Sequence, residues 1–185
     1  MRIVLASGSP RRRELMKLIT ADFECAVSEA DETVPKDTPV LKASEYLAEL
    51  KAKAVAEKYP DDLVIGCDTT VIYEGRIFGK PKCFEECTEI LKLLSGSTHQ
   101  VVTGCSLILG GKTRTFSEIT DVAFRKLTFE EMEEYALSEE PYDKAGGYGI
   151  QGKGALLVEK INGDYNNVVG LPVSRLNQEI KSFIK

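Results

Sequence analysis

The chain has 185 residues, 43% of them hydrophobic and 29% charged, with a formal net charge of −5. That length buries roughly 70% of the unfolded surface in one domain, residues 1–185, without needing disulfide or metal staples. The acidic balance argues against nucleic acid polymers and anionic membranes as partners, and no apolar run approaches the roughly 20 residues of a membrane span.

The first predicted element is a strand, Arg2-Ile3-Val4-Leu5, which runs into Ala6-Ser7-Gly8-Ser9-Pro10-Arg11-Arg12-Arg13. Ser9 suits a helix N-cap and Pro10 the first helical position, so a helix is expected from there through Ile19. Helix starts carry partial positive charge and normally attract acidic side chains. Three arginines in this first turn point to a ligand that supplies negative charge, and phosphate matches both free backbone N–H groups and arginine forks. A solvated basic turn is the plainer reading of the same run.

Residues 22–27 read as a strand, followed by an acidic loop at 28–32. A helix opens at Thr38-Pro39, with Ala43, Tyr46, Leu47, Leu50 and Ala54 on its apolar face. This leaves Lys51, Lys53, Glu57 and Lys58 mainly for solvent until Tyr59-Pro60 stops the helix. Leu63–Cys67 is apolar without alternation, as expected of a strand covered on both faces, and it delivers Asp68 at its end. Thr70–Tyr73 and Ile77-Phe78 flank a tight turn, and Gly79-Lys80-Pro81 leads into a helix that buries Phe84, Cys87, Ile90, Leu91 and Leu94.

Long strands are predicted at about 99–109 and 113–125, joined by Gly110-Gly111, then a helix from Thr128 to about Leu137. A glycine-rich stretch begins at Pro141. Strands near 155–161 and 167–169 surround the turn Asn162-Gly163-Asp164, and a last helix buries Val173, Leu176, Ile180 and Phe183. The order indicates an α/β or α+β protein with a mixed sheet. The five cysteines are odd in number and scattered, which suits a reducing cytoplasm, and the chain is not expected to be exported. Cys83 and Cys87 share a helix, but a single histidine, His99, leaves a zinc site short of ligands.

Three features fall in loops beyond apolar strands, where open α/β sheets bind ligands. They are Ser7–Arg13, Gly66-Cys67-Asp68-Thr69-Thr70 and Gly79-Lys80-Pro81. Asp68 is either a turn residue or a functional base, and Lys80 can share its pocket through the intervening hairpin. If Asp31-Glu32 folds against Asp68, the paired carboxylates can hold a hard divalent cation such as Mg²⁺ beside phosphate. Neither a GxxxxGK[ST] loop nor a GxSxG elbow is present. The segment Tyr142–Gly152 contains four glycines and Gln151, whose amide can pair with the N3–H and a carbonyl of uracil or thymine.

L-A-S-G-S-P-R-R at 5–12, G-C-D-T at 66–69, G-K-P at 79–81, L-S-G-S-T-H-Q-V at 94–101, D-K-A-G-G-Y-G-I-Q-G at 143–152 and V-V-G-L-P at 168–172 are specific together. Through them nearly the whole chain resembles the Maf family of nucleoside triphosphate pyrophosphatases, in its dTTP/UTP branch. The resemblance implies an α/β fold of two lobes, with an elongated mixed β-sheet flanked by helices and a central cleft, similar to inosine triphosphate pyrophosphatases. It implies hydrolysis of a nucleoside triphosphate to the monophosphate and pyrophosphate, assisted by Mg²⁺, Mn²⁺ or Co²⁺, and a homodimer.

Carried onto matching positions, Asp68 resembles the proton acceptor and, with Glu32, a metal contact. Ser7, Arg11, Arg12 and Lys80 resemble phosphate contacts, while Arg11, Thr69 and Gln151 resemble the positions that set base preference. Cys67 stands where alanine is common in the family, and the motif fixes no role for Arg13. Two other functions stay open at this point: a pyrophosphatase for purine or modified-base triphosphates, and a nucleotide-binding regulator of cell division.

Overall fold

Apolar runs set the centre of the molecule. The computed structural model describes residues 1–185. Its strands are β1 (Ile3–Ala6), β2 (Glu24–Cys25), β3 (Leu63–Tyr73), β4 (Arg76–Phe78), β5 (Thr98–Leu109), β6 (Lys112–Phe124) and β7 (Val158–Asn162). They form one mixed sheet in the order β2-β1-β3-β5-β6-β7, with β4 also beside β3. The β1 strand runs parallel to both neighbours, and every other pair is antiparallel. Helices α1 (Pro10–Met16), α2 (Ala43–Ala56), α3 (Phe84–Leu94), α4 (Phe129–Ala136), α5 (Tyr165–Val169) and α6 (Val173–Phe183) flank it.

Two pairings divide one edge of β3. Its residues 63–66 pair with β1 and its residues 71–73 pair with β4. Between them, residues 67–70 keep a sheet partner only on the β5 side. The break coincides with a division of the core. One cluster gathers Leu5, Met16, Ile65, Leu107, Leu171 and Leu176. A second gathers Val71, Leu91, Val101, Phe124, Tyr135 and Tyr148, and a third, smaller one gathers Val4, Ala6, Ala52, Val55, Val64 and Ile108 where α2 meets the sheet. Strands β3, β5 and β6 contribute to the two larger clusters, so the expected two-lobed α/β arrangement is carried by continuous strands.

Helix α2 crosses this sheet at close range because two strand residues lack side chains. A Cβ on Gly66 would sit 2.1 Å from the Ala48 carbonyl oxygen, and one on Gly104 would sit 2.3 Å from that of Ser44. Side chains alternate along a strand, so Asp68 shares the α2-facing side with Gly66. Helix α2 is thereby placed against the carboxylate.

Several local expectations change. The β3 strand continues to Tyr73, so Asp68 lies within a strand and marks the end of one pairing. Residues 22–27 supply only the two-residue β2, α1 ends at Met16, and a 3-10 turn at Val40–Lys42 precedes α2. Residues 153–157 form another 3-10 turn before β7. Residues 167–169 belong to α5, not to a strand. Asp164 caps that helix by accepting from Asn166 N, and buried Asn167 bonds Thr103 N, Val101 O and Thr120 Oγ1. The Asn167 side chain therefore bonds two backbone groups of β5 and a hydroxyl of β6 from within a helix.

His99 is buried between Phe124 and Tyr148, edge-to-face with both rings. Its Nε2 and the Tyr148 hydroxyl share a 2.7 Å hydrogen bond, while Nδ1 has no partner. Burial pushes its pKa down to about 4. The unfolded ring takes up a proton near pH 6.5, so this residue's contribution is complete above that value and lost as pH falls toward 4. Unfolding titrations should show wild type losing roughly 3 kcal/mol more across that window than His99→Phe. Equal losses would contradict the assignment.

Candidate active site

The gap in the β3 edge opens into a cavity of about 460 Å³. That volume lies within the range of small-molecule sites. One wall is the β1–α1 turn, where Ser7 is buried and its Oγ accepts from Ser9 N at 3.2 Å. Ser9 Oγ accepts from Arg12 N, and Pro10 opens the helix, as the sequence indicates. The opposite wall comes from Lys80 and the segment Asp143–Gln151.

Asp68 lies at the floor, 9% exposed. Lys51 from α2 donates to its Oδ1 at 2.6 Å and also reaches Glu32 Oε2 at 2.9 Å. The two carboxylates predicted to converge thus do so on one ammonium. Lys51, expected to face solvent, is the residue that sequence reasoning missed. Its side chain is only 12% exposed. The buried stripe of α2 is Ser44, Leu47, Ala48, Ala52 and Val55, and Lys51 falls inside it at helical spacing. Of the expected face, Ala43 and Leu47 are buried, whereas Tyr46 is exposed and Leu50 and Ala54 are only half-buried, so the packed stripe is rotated from the expected one. A lysine within a stripe of small residues was the available signal.

The arginines divide three ways. Arg12 spans the gap, donating from Nε to Gly170 O, from Nη1 to Cys67 O and from Nη2 to Thr69 Oγ1, each at 2.9 Å. A guanidinium has five N–H groups, so two remain for a ligand. Arg11 donates to Asp143 Oδ2 at 2.8 Å, and Lys144 donates to Asp143 Oδ1 at 2.6 Å. Burial opposes the charge on Asp143, but the bonds from Lys144 and Arg11 hold its carboxyl below the usual range. Arg13 is exposed, and the cavity lining does not include it.

Thr69 is held by Arg12 and by Thr103 Oγ1 at 2.9 Å, and Gln151 is exposed at the far wall. All the predicted site residues, Ser7, Arg11, Arg12, Glu32, Asp68, Thr69, Lys80 and Gln151, line this one cavity. Cys67 is buried beneath it with Sγ 3.7 Å from that of Cys105, and Cys87 is in the core.

Five basic side chains, Arg11, Arg12, Lys51, Lys80 and Lys144, face three carboxylates, Glu32, Asp68 and Asp143, in the cavity wall. The local balance is positive on an acidic chain. An aspartate on a buried strand in such a cleft defines an α/β protein whose cavity sets one carboxylate beside a surplus of basic groups, an arrangement suited to a polyanion.

The sequence profile of the Maf-like protein family matches residues 2–183, and the chain belongs to that family. It is 52% identical over 182 residues to a dTTP/UTP pyrophosphatase of Bacillus cereus, covering 98% of this chain and 95% of that protein. It is 53% identical, with the same coverage, to a dTTP/UTP pyrophosphatase of Bacillus anthracis. Among solved structures, the Staphylococcus aureus Ham1 protein overlaps 67% of this chain and 72% of its own, with 20% identity and a TM-score of 0.49.

Removing the ammonium from between two carboxylates leaves their charge uncompensated. Lys51→Met is expected to cost on the order of 2 kcal/mol in urea unfolding near neutral pH. The double variant Lys51→Met/Asp68→Asn should recover most of that loss, because the pair is coupled. Additive losses would contradict the pairing.

Proposed function

We propose that the protein hydrolyses dTTP and UTP to the monophosphate and pyrophosphate. The observation that carries this reading is the Asp68 carboxylate, set at the break in the β3 edge, in one cavity with the basic turn at Ser7–Arg12 and with Gln151. The names of relatives at 52–53% identity support the substrate pair.

In this reading Ser7, Arg11, Lys80 and the two free N–H groups of Arg12 take the phosphate oxygens. Lys51 fixes Asp68 through Oδ1. Oδ2 then accepts a proton from the water that attacks the α-phosphorus. The new water oxygen–phosphorus bond forms as the bond from the α-phosphorus to the bridging oxygen breaks, and the electron pair leaves with pyrophosphate. Arg11, Arg12 and Lys80 balance the charge that develops there, the kind of fixed electrostatic support that dominates such transfers. Gln151 pairs with the N3–H and a carbonyl of the base, while Arg11 and Thr69 complete the base-selecting group.

The residues fit a divalent cation such as Mg²⁺, Mn²⁺ or Co²⁺. Lys51 Nζ takes one oxygen from each of Glu32 and Asp68, at 2.9 and 2.6 Å, which leaves Glu32 Oε1 and Asp68 Oδ2 as the atoms that would hold the ion. No cluster of three protein ligands is present. Hard cations at such sites take one or two carboxylates and complete their shell with phosphate oxygens and water. Glu32 and Asp68 would hold the ion, which when bound would neutralise charge at the phosphoryl oxygens.

Asp68→Asn is expected to lower kcat for UTP by about 10²–10⁴-fold while nucleotide binding persists. Pyrophosphate release and equilibrium binding measure the two separately. Undiminished turnover in this variant, or turnover of GTP and CTP that equals that of dTTP and UTP, would overturn the reading.

A further inference from the structure

Gln151 sits on a loop whose shape is imposed from outside. On one side of it, Gly149 N donates to the Tyr135 hydroxyl at 3.1 Å. On the other, Lys153 N donates to Glu140 Oε2 at 2.8 Å and Gly154 N donates to Glu140 Oε1 at 3.0 Å. Tyr135 joins the two anchors, donating to Glu140 Oε1 at 3.0 Å. One carboxylate and one phenol therefore hold the backbone both before and after Gln151.

The glycines of this loop record the same contact. A Cβ on Gly152 would lie 2.3 Å from Glu140 Oε2, and one on Gly154 would lie 2.9 Å from the Tyr135 hydroxyl. The loop is glycine-rich here because its backbone lies directly against the anchoring groups. Tyr135 is buried, and burial raises its pKa, so the hydroxyl stays neutral and can both donate and accept. Burial also opposes ionisation of Glu140, but the bonds from Gly154, Lys153 and Tyr135 outweigh it and keep the carboxyl below its ordinary range.

The anchor is also tied to the phosphate side of the cavity. Lys144 Nζ donates to the Glu140 carbonyl oxygen at 2.6 Å and to Asp143, which pairs with Arg11.

We propose that Tyr135 and Glu140 are positioning residues for base selection, clamping residues 149–154 so that the Gln151 amide meets one base edge. The inference rests on the reading of Gln151 as the base contact. A paired amide contact discriminates only while its donor and acceptor are fixed, since misplaced buried partners are as costly for the right base as for the wrong one. Uracil presents an N3–H donor where cytosine presents an acceptor, so the ratio of kcat/KM for UTP over CTP reports the placement of Gln151.

Tyr135→Phe removes one hydroxyl and keeps the ring in the core. Glu140→Gln keeps the shape but places an amide where backbone N–H groups need acceptors. Both are expected to lower the UTP/CTP ratio at least about tenfold, chiefly through KM for UTP, with kcat for UTP largely retained. Gln151→Ala should lower the ratio as well, and Gln151→Ala/Tyr135→Phe should be no worse than Gln151→Ala alone. A merely structural role would give additive losses and a fall in kcat for both nucleotides.

If Gln151→Ala lowers the ratio while Tyr135→Phe leaves it unchanged, the clamp is overturned and the Gln151 reading stands. If Gln151→Ala leaves the ratio unchanged, both fall. Should Glu140→Gln fail to fold, Tyr135→Phe and the double variant decide alone.

Discussion

A β-strand edge that changes partners partway along its length must satisfy the backbone groups left between them, and the site is built where β3 does this. β1 leaves β3 after residue 66, and β4 joins it only at residue 71. Arg12 bridges the interval by taking the Cys67 carbonyl, Thr69 Oγ1 and Gly170 O. The interval becomes a cleft because Arg12 closes the edge with a side chain, and not with another strand. Its remaining N–H groups belong to the cavity that this creates. Asp68 lies within the interval and points toward α2, which approaches closely enough to deliver Lys51 because Gly66 and Gly104 lack side chains.

The charges in the cleft are organised before any ligand arrives. Lys51 is shared by Asp68 and Glu32, while Asp143 is shared by Arg11 and Lys144. Each pairing sets the position of a long side chain whose freedom would otherwise have to be lost on binding. The surplus of positive groups leaves the cleft suited to an anionic ligand. At the other end of the cavity, Glu140 and Tyr135 impose order on a glycine-rich backbone. The β1–α1 turn and the loop that carries Gln151 are thereby joined through Arg11, Asp143 and Lys144.

The sequence made much of this legible where a single segment carries the signal. An apolar run marked β3, the Gly110-Gly111 turn marked the β5–β6 pair, and helical spacing marked α3 and α6. Ser9-Pro10 marked the start of α1. The candidate site residues were legible because they lie in short motifs, and they line one cavity. What escaped depended on contacts distant in sequence. Nothing local says that β1 stops pairing at Gly66, so Asp68 read as a strand end. Asn167 satisfies backbone and hydroxyl groups of β5 and β6, and a segment that read as a strand is a helix. In α2, alanines on several sides made two apolar faces look similar, and the choice between them hid Lys51. Glu140 serves backbone N–H groups, which leave no residue pattern beyond the glycines they touch.

The central claim is that Asp68 directs water to the α-phosphorus of a nucleoside triphosphate held across the two lobes. Hydrolysis of UTP in ¹⁸O-labelled water, followed by mass spectrometry of both products, tests it most directly. The geometry predicts one labelled oxygen in UMP and none in pyrophosphate. Label in pyrophosphate with unlabelled UMP would place the attack on the β-phosphorus and contradict the account.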